Sequence, residues 1–179
     1  MAQFKALAPN VEVSGAVVMS VVNAMGAFQG LARRILRESR LGDLQPDHWY
    51  PQQAWLDAFE IIAREIGPNT LFHIGTQIPT MAEIPPAIDS IESALLSLDE
   101  AYHSTHRGGE IGHYLFRTTS RRSGVMECTD PYPCDFDRGV IDALARRFEP
   151  SNAILDVRHD PYQPCKKETG DSCTYTIVW

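Results

Sequence analysis

Four cysteines and six histidines carry most of the chemistry this sequence could perform. Cys165 and Cys173 flank a polar loop containing Gly170 and Asp171, and the apolar run CTYTIVW follows. Paired as a hairpin, the two thiols would face each other across the strands, close enough to share a metal ion or form a disulfide. Cys134 follows DPYP at the start of an expected helix, where the helix N-terminus favours a thiolate. Zinc takes four nitrogen or sulfur ligands. The fourth would come from His159, Asp160 or Cys128. The paired C-x-x-C knuckles of a zinc ribbon are absent, so spacing alone leaves zinc, buried free thiols and a disulfide all open.

The histidines suggest other chemistry. His103 and His106 fall near the end of an expected helix, and His113 lies in the strand after it. His103 follows Tyr102, a core position, and is the candidate ligand for a metal or haem between helices and sheet. His106 reads as a polar residue favoured by the helix C-terminal dipole. His48, in PDHWYP, could edge a pocket or sit on a surface turn. Asp135, Asp137 and Arg138 share one helical turn, where acidic residues are expected for dipole reasons alone. Arg117, Arg121 and Arg122 read as a solvated basic turn. A nucleophile elbow, phosphate-binding glycine loop, H-E-x-x-H helix and dinucleotide fingerprint are absent, which points to a binder rather than a catalyst.

The elements that must position these residues follow from periodicity. A first helix is expected from Ser14 to about Ser39, with Val18, Val21, Val22, Met25, Phe28, Ala32, Ile35 and Leu36 at three- and four-residue spacing. Gly26 and Gly30 lie one turn apart on it and read as ordinary small-residue packing, with a close helix contact between subunits as the alternative. A second helix, Pro51 to Ile66, buries Trp55, Ala58, Phe59 and Ile62 and ends at GPN. TLFHIGTQIP fits a short strand or a helix. A third helix, about Ala87 to His106, buries Ile88, Ile91, Leu95, Leu98 and Tyr102. IGHYLFRTTS and SGVMECTD read as two strands around a turn. A helix with Phe136, Val140, Leu144 and Phe148 on one face follows, and NAILDVRHD and CTYTIVW are the last strands. Helices first, then strands with one inserted helix, predict an α+β fold with an antiparallel sheet. One domain is expected over 1–179, helical to about 109 and sheet from 110.

At 179 residues, 44% apolar and 22% charged, the chain has the composition of a globular protein. A net charge of −7 argues against nucleic acid or an anionic membrane as the main partner. The apolar segment VEVSGAVVMSVVNAMGAFQGLA holds Asn23 and Gln29 and reads as a buried or dimer-forming helix rather than a membrane span. The N-terminus shows no signal-peptide pattern. A cytoplasmic setting is therefore expected, in which thiols stay reduced.

PYPCDFDRGVIDALARRF, followed by VRHDPYQPCKKETGDSCTYTIVW, resembles the 4-vinyl reductase-type ligand-binding domain over roughly residues 110–179. That family shares its fold with haem nitric-oxide/oxygen-binding (H-NOX) domains and with Golgi transport particle subunits. The resemblance implies a small-molecule sensor with a structural zinc on Cys134, Cys165 and Cys173. His159 or Asp160 would stand where other members use glutamate, with Cys128 as an alternative. It also implies an apolar pocket, for which Trp55, Phe59, Phe72, Leu95, Tyr102, Tyr114 and Phe116 are candidate lining residues, and a homodimer through the first helix. The related fold offers a haem gas sensor with His103 as proximal ligand, although the Tyr-x-Ser-x-Arg motif that grips haem propionates is missing. A protein-assembly scaffold is the third reading.

Overall fold

The computed structural model describes residues 3–25, 29–151 and 154–179. The expected first helix is two, α1 (Gly15–Ala24) and α2 (Gln29–Glu38), preceded by a short strand β1 (Glu12–Ser14). Gly26 and Phe28 lie outside the described residues, and Gly30 is exposed with no neighbour where a side chain would project. No helix among the described residues is long and apolar enough to cross a membrane.

Strand β2 (Trp49–Pro51) leads into α3 (Gln52–Glu65), which buries Trp55, Ala58, Phe59 and Ile62 as the spacing predicts. Gly67, at φ 110°, breaks the chain, and Pro68 opens α4 (Pro68–Met81), so the ambiguous TLFHIGTQIP segment is helical. The next helix, α5 (Ile91–Ser104), is shorter than periodicity suggests. Ser90 and Ser93 form a capping box at its start, and Thr105 Oγ1 donates to the Tyr102 carbonyl at its end. His106 therefore leaves the helix and enters strand β3 (His106–Arg107), opposite Val13. Strands β1, β2 and β3 form a small antiparallel sheet, order β2-β1-β3, within the half expected to be helical.

The second half follows the prediction closely. Strands β4 (Tyr114–Ser120) and β5 (Ser123–Cys128), helix α6 (Cys134–Arg146), and strands β6 (Asp156–His159) and β7 (Cys173–Val178) give an antiparallel sheet of order β4-β5-β7-β6. Burial alternates along it: Met126 and Cys128 on β5, and Cys173, Tyr175 and Ile177 on β7, face the core. The fold is α+β. Helix α6 packs beside β6 and buries Phe136, Val140, Ile141 and Leu144. It crosses α4 closely because Gly139 lies against the Phe72 carbonyl, leaving no room for a Cβ.

Candidate metal centre and cavity

The sequence-distant residues Cys134, His159, Cys165 and Cys173 converge where the N-terminus of α6 meets the ends of β6 and β7. One ligand atom from each lies within 4.8 Å of the other three. Cys134 Sγ is 3.0 Å from Cys173 Sγ and 3.6 Å from Cys165 Sγ. All four cysteines are free thiols, since a disulfide needs about 2.0 Å. The expected cross-strand pairing of Cys165 with Cys173 is not how the two meet. Cys173 stands opposite Cys128 in the β5–β7 register, while Cys165 arrives on a turn whose carbonyl accepts from Glu168 and Gly170 N–H. Gly170 is needed there, because a Cβ would collide with the backbone of Cys165.

Three features fix the donors. Tyr175 Oη donates to the Cys134 carbonyl at 2.7 Å, and the His159 ring packs edge-on against Tyr175. The Lys166 N–H donates to Cys173 Sγ at 3.3 Å. His159 Nε2 is buried without a hydrogen-bond partner. The Cys134 thiol, then the Lys166 N–H, His159 and the Lys166 charge, hold Cys173 below the ordinary thiol range despite burial. Cys134 is driven up correspondingly, first by that same hydrogen bond and then by burial. The cluster thus favours one thiolate already, and its donors suit a tetrahedral sulfur–nitrogen site.

The alternative ligands lie elsewhere. Asp160 builds a turn, its Oδ1 accepting from Tyr162 N–H and its own N–H donating to the Thr174 carbonyl. Cys128 groups with Asp130 and Asp137 instead, and burial pushes its thiol up. Asp137, expected to be a dipole-stabilising surface residue, is fully buried. It accepts from Tyr114 Oη and from Lys166 Nζ, both at 2.8 Å. Lys166 Nζ also donates to the Asp130 carbonyl at 2.8 Å. Burial disfavours the ammonium, but Asp130 and Asp137 outweigh it and hold Lys166 above its ordinary value. Burial, then Asp130, holds Asp137 well above the usual carboxylate range. A lysine in a polar loop reads as solvated, so nothing local marks Lys166 as buried; its neighbour Lys167 pairs with Asp135 nearer the surface.

A cavity of about 290 Å³ lies between α1, α5, α6 and β4. Trp55, Tyr102 and Tyr114 line it, as expected. The other four candidates do not. Phe59 stacks behind Trp55, Tyr132 and Phe136; Phe72 lies under the Arg138 guanidinium; Leu95 is wholly buried; Phe116 abuts Gly124. Phe136, Val140, Val17 and Leu98 supply apolar wall instead.

The cavity's histidine is His106, not His103. Leaving the helix at Thr105 turns His106 inward, where its Nδ1 donates to the Tyr102 carbonyl at 2.9 Å. Its Nε2 is then an acceptor, and the Tyr132 hydroxyl donates to it at 2.8 Å. Burial, opposed by the bond to Tyr102, pushes the imidazole down to about 4. His103 is more exposed and bonds the Asp99 carbonyl through Nδ1, beside His113. His48 pairs with Asp47 on the surface.

No protein-family profile matches the chain, and no curated protein does. Solved structures match closely in shape. An H-NOX protein from S. oneidensis in its Fe(II) state superposes with a TM-score of 0.70 at 12% identity, covering 92% of this chain and 95% of that one. The Fe(II) unliganded H-NOX protein from K. algicida gives the same values. An oxygen-binding H-NOX domain related to soluble guanylate cyclases, solved as its oxygen complex, gives 0.67 at 14% identity, covering 92% and 94%. The fold is therefore that of H-NOX domains.

Structures of this fold include haem proteins, and in this chain the histidine on the cavity wall is His106. Both His106 nitrogens are hydrogen-bonded within the chain, so a ligand on Nε2 would have to displace the Tyr132 hydroxyl.

Proposed function

We propose that this chain is a small-molecule-binding sensory domain on the H-NOX fold. It would take a compact, largely apolar ligand into the cavity and hold a structural zinc ion on Cys134, His159, Cys165 and Cys173. The observation that carries the reading is the cavity itself: apolar walls with a few convergent polar groups, His106 and Tyr132 among them, are the usual composition of a ligand pocket. The unpartnered Nε2 of His159 beside three thiols supports the ion. Zinc there would lock β6, β7 and the start of α6 together, and no reaction is assigned to it. Self-association through α1 and α2 belongs to the same reading, with sedimentation as its check.

The experiment is a fragment screen by ligand-observed NMR on the purified protein, using aromatic and aliphatic compounds of about ten heavy atoms. Binding that is lost in Leu98→Trp supports the reading. No binding by any fragment, with the protein folded, contradicts it and leaves a scaffold role.

The fold comparisons favour a second reading, a haem-binding gas sensor, more than they favour an apolar ligand. It would require His106 to release Tyr132 or Tyr102. A Soret band from protein produced with added haem, lost in His106→Ala and retained in His103→Ala, would establish it.

A further inference from the structure

A second donor cluster lies away from the cysteines, where α5 meets the start of β4. Asp99 and His103 stand one turn apart on α5, and His113 immediately precedes Tyr114. A carboxylate oxygen and one nitrogen from each imidazole lie within 4.8 Å of one another. The two rings sit 4.9 Å apart, tilted by 32°. Neither the cavity nor the cysteine cluster uses these side chains.

Their remaining hydrogen bonds have the pattern that prepares ligands for a metal. His103 Nδ1 is 2.8 Å from the Asp99 carbonyl oxygen, which can only accept. The proton is therefore on Nδ1, and Nε2 keeps a free lone pair. Metal-bound histidines characteristically donate their other N–H to a carbonyl or carboxylate in this way. Asp99 Oδ1 accepts the Tyr114 N–H at 2.9 Å and Oδ2 accepts the His113 Nδ1–H at 3.2 Å, which fixes the carboxylate and leaves the lone pair of the His113 ring on Nε2. All three side chains are between 31% and 45% exposed, so water can complete the coordination shell.

We propose that Asp99, His103 and His113 form a surface site for a divalent first-row transition ion, separate from the cysteine cluster. Two imidazoles and a carboxylate suit zinc, nickel or copper and give no advantage to magnesium or calcium. An ion there would clamp α5 to β4 at the residue before Tyr114, whose ring is cavity wall.

The test is calorimetric titration of nickel(II) chloride into the protein as purified, beside His103→Ala, His113→Ala and the surface control His48→Ala. Uptake of about one equivalent is expected, weakened roughly tenfold or more in the first two variants and unchanged in the third. The cysteines are intact in all of these, so a loss in His103→Ala cannot arise at the thiol cluster. Circular dichroism confirms that each variant is folded. No uptake, uptake indifferent to His103→Ala and His113→Ala, or uptake lost equally in His48→Ala would each overturn the proposal.

Discussion

Acidification probes the polar end of the cavity. His106 is only 9% exposed, and burial pushes it down to about 4 from an ordinary value of 6.5. The unfolded chain therefore binds this proton first as pH falls. The contribution of His106 to stability is complete above about pH 6.5, shrinks below it, and is gone under about pH 4. The gap corresponds to about 3 kcal/mol. The assay is urea unfolding at intervals between about pH 7.5 and pH 4, for the wild type and for His106→Gln. Glutamine does not titrate, so the difference between the two stability curves isolates the histidine from the carboxylates and thiols. The wild type should lose about 3 kcal/mol more than the variant over that span. Parallel curves would mean that His106 charges normally in the folded protein, and would refute the buried, doubly bonded imidazole described above.

Other consequences follow from the same contacts. Lys166→Met strands Asp130 and Asp137 in a site with no solvent access; chemical denaturation should show a loss of about 3–5 kcal/mol. Gly139→Ala forces a methyl onto the Phe72 carbonyl and should cost about 1–3 kcal/mol, read as a lower melting temperature. Leu98→Trp fills cavity space and should abolish fragment binding while circular dichroism stays native.

The cysteine convergence was legible because thiols are few and the elements carrying them were correctly placed. Cys134 at a helix start and Cys173 on a terminal strand follow directly from the second-half pattern. His159 also followed, once it lay on the strand leading into the loop. His106 was not legible. It lies three positions after His103, and a helix continued to position 106 would place both near one face. Only the cap at Thr105 releases His106 into β3 and turns it inward. The strands β1 and β2 were missed because each has three residues, too few for an alternating pattern to register. The burial of Asp137 and Lys166 was not legible for a different reason: local rules place charged residues in solvent, and only tertiary pairing makes their burial tolerable. Aromatic residues at core spacing can equally pack against one another, as Phe59 does against Trp55, Tyr132 and Phe136.

The most direct test of the central claim is native mass spectrometry of the protein purified under reducing conditions without added metal. The account predicts a chain carrying about one zinc ion, lost in Cys173→Ser, with no haem adduct. A metal-free wild-type chain would contradict the zinc centre, and a haem adduct would replace the apolar-ligand reading with the gas-sensor one.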